Sequence, residues 1–168
     1  MNVEDNINYM EVIMNIFVLD YDLEKCAQYH CDKHLRKQLL ESVQMLQNAY
    51  YFTEEEHLAT YKKSHPGNRF CKWTIESLDN WLWLRELAFE LYAEYEYRFN
   101  KNHKSGELLL SMPIPKLPSI GRTPFVINIG DVEPVGCTVV NYRRYYNYEK
   151  RHLFEWTNRD VPNWIDLD

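Results

Sequence analysis

Between Leu23 and about Phe52 the chain holds no Gly or Pro, and Leu35, Leu39, Val43 (or Ser42), Leu46 and Tyr50 return every three to four positions. That spacing lines one stripe of an α-helix. Asp22 supplies a capping carboxylate just ahead of it, so the pattern predicts a long amphipathic helix. Asp32 falls close to the angle of the apolar stripe, an awkward place for a carboxylate. A break near Cys31, with Asp32 capping a second helix, removes the conflict. Thr53 to Gly67 is polar and ends in Ser64-His65-Pro66-Gly67, which marks a connection. From Asn68 to Asn100, Phe70, Trp73, Leu78 (or Ser77), Trp81, Leu84, Ala88, Leu91, Tyr95 and Phe99 repeat at helical intervals without Gly or Pro. A second long, uninterrupted helix is expected there.

The flanks read differently. Residues 1–13 are rich in Asn and Glu, have no period and precede a second methionine; they read as an extension, or as the product of an upstream start codon. Asn15-Ile16-Phe17-Val18-Leu19 is short, apolar and partly β-branched, which favours an extended segment along the core. After a short helix near Gly106 to Ser111, Pro113, Pro115, Pro118, Gly121, Pro124, Gly130, Pro134 and Gly136 crowd one irregular loop. A last helix is expected from about Thr138, as N-cap, through Tyr142, Tyr145, Tyr146, Lys150, Leu153 and Trp156. Pro162 and Trp164 then turn a short tail back. No internal repeat and no strand pattern sufficient for a sheet is visible. The expectation is one all-α domain over residues 14–168: a compact bundle of about three long helices, with an extended N-terminal segment and a Pro-rich loop.

Composition narrows the classes. The 168 residues are 45% hydrophobic and 15% aromatic, enough for a packed core. No run nears the ~18 apolar residues of a membrane span, and the acidic start is unlike a secretory signal. Cys26, Cys31, Cys71 and Cys137 form no CxxC pair, which suggests reduced thiols and no zinc site of the usual spacing. The formal charge of -6 means that nucleic acid, if bound, needs a local basic patch. Neither a P-loop, a GxGxxG turn nor a GxSxG elbow is present.

Candidate chemistry is concentrated in the first helix. His30, His34, Lys37 and Glu41 follow at spacings of four, three and four, within a sector of roughly 60° at 100° per residue. Lying opposite Leu35, Leu39 and Val43, they form either a solvated face or a site. In a site, Glu41 would be a general acid or base and a lysine an amine nucleophile or anion contact. The HxxxH pair alone is a weak metal signal, and neither metal nor cofactor is called for. His65 is either a turn residue or a group pointing into a cleft. Lys101, His103 and Lys104, after Arg98, form a local basic patch suited to a helix end or to phosphate. Tyr142-Arg143-Arg144-Tyr145-Tyr146, followed by Lys150-Arg151-His152, interleaves aromatic and basic residues. That mixture suits base stacking with phosphate contacts, although the tyrosines also have the spacing of a core face. The five tryptophans, Trp73 among them, read as core before binding platform.

Several motifs together resemble a family of small proteins encoded by tailed phages. They are Met14-Asn15-Ile16-Phe17-Val18-Leu19-Asp20, Gln28-Tyr29-His30-Cys31-Asp32-Lys33-His34, Ser64-His65-Pro66, the Trp73 helix with Glu76-Ser77, His103-Lys104-Ser105, Tyr142 to Tyr146 with Glu149-Lys150, and Trp156-Thr157-Asn158-Arg159 with Pro162 and Trp164. The resemblance covers nearly all of the chain from Met14 and carries no activity with it. Asp32-Lys33-His34-Leu35 followed by Glu41 also resembles the pyrimidine dimer DNA glycosylases of the phage endonuclease V type, compact all-helical enzymes. In those an N-terminal amine attacks the sugar C1′ to form a Schiff base, assisted by a carboxylate whose counterpart would be Glu41. Residues precede Met14 here, so Lys33 or Lys37 would have to replace that amine.

The resemblance therefore implies a phage-encoded base-processing protein, an N-glycosylase on damaged or modified pyrimidines, working in the host cytoplasm away from membranes. Glu41 would be the acid or base, with Lys37, Lys33, His30, His34 and His65 lining the site. Lys101, Lys104, Arg143 and Arg144 would meet phosphates, and Asp32, Trp73, His103 and Tyr142 would complete the binding set. The expected partner is DNA or a nucleotide. Two alternatives use the same residues: a nucleotide-binding protein, acting as a signal sponge or host-directed inhibitor, and a nucleotide-level N-glycosidase.

Overall fold

The computed structural model describes residues 14–168; the extension expected over residues 1–13 lies outside them. All regular structure among the described residues is helical: α1 (Leu23–Tyr29), α2 (Asp32–Phe52), α3 (Arg69–Glu76), α4 (Leu78–Phe99), α5 (Lys104–Leu109) and α6 (Thr138–Glu149). This is the all-α bundle expected, with a longer list of shorter helices. The 21-residue α2 and the 22-residue α4 form the central pair. Helices α1, α3 and α5 pack against one or both of them. Trp81, fully buried on α4, donates its indole N–H to the Leu46 carbonyl of α2 at 3.0 Å, tying the pair across the core.

The break expected near Cys31 is present. His30 and Cys31 are extended, and Asp22 caps α1 by accepting from the Lys25 N–H. Asp32, however, does not cap α2: Cys31 holds the cap position and makes no side-chain cap bond, while Asp32 is the first helical residue. Its carboxylate instead accepts from the Arg98 guanidinium at 3.0 Å and from the Thr157 N–H and hydroxyl. Arg98 also donates to the carbonyls of Gln28 and His30, each at 2.8 Å, and to Glu94. The break is thus held by a buried cation satisfied on every side, as a buried charge must be.

The second long helix is interrupted where the period predicts continuity. Ser77 ends α3 and caps α4, its hydroxyl accepting from the Asn80 N–H. Asn80 donates to the Trp73 carbonyl and to Thr123, and the Leu78 N–H turns to the Pro118 carbonyl. Ser and Asn offer the backbone these alternative partners without disturbing hydrophobic spacing. The last helix is also shorter than expected. It ends at Glu149, a 3₁₀ turn follows over Arg151–Leu153, and the cap is Cys137, one residue before Thr138.

Two irregular segments are tied down by side chains. The Pro-rich loop is held by Tyr50, which donates to the Pro113 carbonyl, by Trp73 to Pro124, and by Arg69 to Ile127. Met14 to Leu19 is extended and buried, as expected. The Phe17 ring stacks on His34 at 4.5 Å and meets Tyr142 and Tyr146 edge-on, so this segment lies between α2 and α6. Its backbone finds partners in side chains: Arg143 donates to the Leu19 carbonyl and the Cys26 thiol to that of Phe17.

Candidate functional site

Lys33, Lys37 and Glu41 stand one turn apart along α2, and His34 and Gln38 run beside them. The outer side of this face is open, with Lys33 exposed and the Lys37 side chain 42% exposed, whereas His34, Gln38 and Glu41 are buried. Asn15 and Phe17 of the extended segment, Asn128 to Asp131 of the loop, and Tyr145, Glu149 and Lys150 at the end of α6 stand opposite. Together they enclose a cavity of about 420 Å³, inside the range of sites for small ligands. The buried inner side of the face thus lines a cleft, while Lys33 and Lys37 stay open to solvent at its edge.

Glu41 is the chemical centre of the cavity. Its carboxylate is buried and accepts from the Gln38 amide at 3.0 Å and the Asn15 N–H at 3.4 Å; the Lys37 ammonium is 3.8 Å away. Burial penalises the charged form more than Lys37 and the two hydrogen bonds favour it, so the carboxyl is pushed up to about 7. Both protonation states are then populated at neutral pH, the condition for a general acid or base.

His34 shares the cavity but cannot act as a cation. Nδ1 is 2.7 Å from the Tyr146 hydroxyl, and the ring is stacked on Phe17. Burial first, then the positive charges of His30, Lys150, Lys37 and Lys33, hold its pKa down to about 2. It offers a neutral imidazole and part of an aromatic wall. His30 is a correction: its ring is fully buried, its Nδ1 donates to the Cys26 carbonyl at 2.7 Å, and it does not line the cavity. Desolvation lowers its pKa to about 4, so it belongs to the core and not to the catalytic set.

The remaining candidates separate in the same way. Asp32 belongs to the buried Arg98 network and is unavailable to a ligand. His65 sits exposed in the turn before α3 at φ 45°, its ring on the Ser64 hydroxyl, and it does not line the cavity. His103 is the N-cap of α5, accepting from the Ser105 N–H. Lys101 and Lys104 are exposed beside it and line no part of the cavity. Arg143 is committed to the Leu19 carbonyl and to Asp20 at 2.8 Å, and lies over the rings of Tyr29 and Trp164. Arg144 stands over Tyr148 instead. Tyr142 is a core residue whose hydroxyl donates to Asn15. Trp73 lies partly in the core and lines a different, largely apolar groove with Phe52 and Val126.

Of the expected set, Glu41, Lys37, Lys33 and His34 meet in one place. Tyr145 and Lys150, from the aromatic and basic run, join them, and so do Asn15, Phe17, Gln38, Asn128 and Glu149, which were unforeseen as site residues. Gln38 had a legible signal, a polar residue three positions before Glu41 in the same sector. Asn15 had none: it acts as a junction, with its N–H on Glu41, its side-chain oxygen accepting from Tyr142 and its side-chain amide donating to the Asn128 carbonyl.

Among the described residues no group of three His, Cys, Asp or Glu side chains could hold a metal ion, and no helix is long and apolar enough to cross a membrane. Comparison with protein-family models, curated proteins and solved structures found no match.

Proposed function

We propose that the protein is a base-processing hydrolase that cleaves the N-glycosidic bond of a single nucleotide unit, free or swung out of a strand. The observation that carries this reading is Glu41, a buried carboxyl near neutrality in its titration, facing a nucleotide-sized cavity. Glu41 is also the position that the endonuclease V-type resemblance assigns to the catalytic carboxylate. Ionised, it takes the proton of a water attacking C1′ and opposes the positive charge growing on the sugar. The C1′–N bond breaks, its electron pair leaves on the base, and the base is protonated from solvent. Of the nitrogens beside Glu41, the Asn15 peptide and the Gln38 amide have no free electron pair to attack with, and Lys37 is ion-paired to the carboxylate at 3.8 Å. Water is therefore favoured over an amine as the nucleophile.

The experiment is release of free base, followed by chromatography, from nucleoside monophosphates and from oligonucleotides carrying modified pyrimidines. The wild type should release base from at least one of them. Glu41→Gln should lower the rate by about 10²- to 10⁴-fold with its circular dichroism unchanged. Full activity of that variant, or no release from any substrate, overturns the proposal. In the latter case ligand-induced thermal stabilisation would move the cavity to the nucleotide-holding role, which an acidic protein with one local cluster of lysines also suits.

A further inference from the structure

We infer that Lys33, Lys37 and Lys150 form a seat for a terminal phosphate, so that the ligand is a free nucleoside monophosphate and not a nucleoside or an internal nucleotide of a strand. The inference deepens the proposed function and rests on it only for the identity of the group that carries the phosphate.

Three ammonium groups reach this cavity from two walls. Lys33 and Lys37 lie one turn apart on α2, and Lys150 follows the end of α6. All three line the one cavity on whose wall the His34 ring stands. Three carboxylates, those of Glu41, Asp131 and Glu149, line the same cavity. Glu41 is the partner of Lys37 at 3.8 Å and is buried. Glu149 accepts from the Asp131 N–H at 3.0 Å and lies against Gly130, where φ is 58°. Among the described residues, neither Lys33 nor Lys150 has a carboxylate within the 4.0 Å of an ion pair. Lys150 instead lies 4.9 Å from the Tyr145 ring centroid.

An ammonium with no carboxylate within ion-pair distance gains from an anion placed beside it. A terminal phosphate carries about 1.5 to 2 negative charges near pH 7, against one for a phosphodiester, and so gains more from three cations. The size of the cavity agrees, since about 420 Å³ holds one nucleotide and not a strand. The basic residues that a strand would need beyond the cavity are absent from its walls: Arg143 is spent on Leu19 and Asp20, and Lys101 and Lys104 do not line it. The stacked Phe17 and His34 rings and the Gln38 and Asn128 amides remain for the base and sugar.

The test is calorimetric titration of the full chain with a pyrimidine nucleoside, its 5′-monophosphate, and a dinucleotide whose only phosphate is an internal diester. Wild type, Lys33→Met and Lys150→Met are compared, with sulfate as a competitor. The monophosphate should bind at least tenfold more tightly than the nucleoside or the dinucleotide. Each lysine variant should narrow that gap several-fold, and sulfate should displace the monophosphate. Equal affinity for nucleoside and monophosphate, or preference for the dinucleotide, overturns the inference. So does a gap that both variants leave intact. Binding is read here without turnover, so monophosphate binding without base release would fail the proposed hydrolysis and leave the phosphate seat standing, and base release with equal affinities would do the reverse.

Discussion

Glu41→Gln should stabilise the fold above pH 7 while removing the proposed chemistry. The carboxyl moves from 4.5 in an exposed chain to about 7 in the cavity, because burial disfavours its charge. Between those values the folded protein keeps a proton that the unfolded chain has released. The stability linked to this group is therefore highest below pH 4.5 and declines as pH rises, levelling above about pH 7. A gap of 2.5 pH units (7 − 4.5) at about 1.36 kcal/mol per unit corresponds to about 3 kcal/mol, and water entering the cavity reduces this to about 2 kcal/mol. Gln has the same shape and no charge at any pH, and it keeps an oxygen for the Asn15 N–H and the Gln38 amide. Part of that span is already lost at pH 5, so the gain over wild type should be about 1.5 kcal/mol larger at pH 8 than at pH 5, or roughly 3–6 °C in Tm for a chain of this size. Urea unfolding at the two pH values, with equal m, measures it. A difference that does not change with pH would refute the reasoning, because it would mean that Glu41 is not held near neutrality by its burial.

Three further outcomes follow from the packing. In the Glu41→Gln background, stability should fall by about 2–3 kcal/mol for each of the His30 and His34 rings as pH drops from 6.5 towards 4, since the unfolded chain protonates both imidazoles that the fold keeps neutral; a flat urea profile would contradict this. Arg98→Met should lower stability by about 3–5 kcal/mol in urea unfolding, because it takes the cation from the buried Asp32 carboxylate, removes one of the two arginine partners of Glu94 and strands two carbonyls; a loss below about 1 kcal/mol would remove the network from the account of the α1–α2 break. Gly106→Ala should cost about 1–3 kcal/mol, as its Cβ would run into the Tyr92 ring; an unchanged thermal midpoint would show that the ring moves aside.

Hydrophobic period made the bundle legible where packing is continuous, and it failed where polar side chains redirect the backbone. Leu35, Leu39, Val43 and Leu46 are all buried in the order the stripe requires. The awkward angle of Asp32 correctly signalled the break before α2, although the reason lay elsewhere. The carboxylate is turned inward to Arg98, which is 66 residues distant in sequence. At Ser77 there was no such conflict, because Trp73 and Trp81 keep helical spacing across the interruption. What ends α3 is the hydrogen-bonding of Ser77, Asn80 and Thr123, which leaves no trace in an apolar pattern. Basic residues misled for a related reason: Arg143 resembles a phosphate contact until its guanidinium is seen to satisfy the extended segment.

The α2 half of the site was readable because a helix repeats, so Lys33, His34, Lys37 and Glu41 share a sector whatever faces them. The other half comes from segments with no period. Asn15 and Phe17 are carried by an extended stretch that lacks a strand partner and is satisfied by Cys26, Arg143 and Tyr142. Asn128 to Asp131 belong to a loop held by Asn15, Tyr142 and Glu149. The groups that close the core over this segment are therefore the ones that wall the cavity. Asn15 joins the two functions, since it orients Glu41 through its N–H and anchors the loop through its amide. A substitution there would disturb the carboxylate and the loop together, so the site cannot be loosened without loosening the packing of α6 on α2.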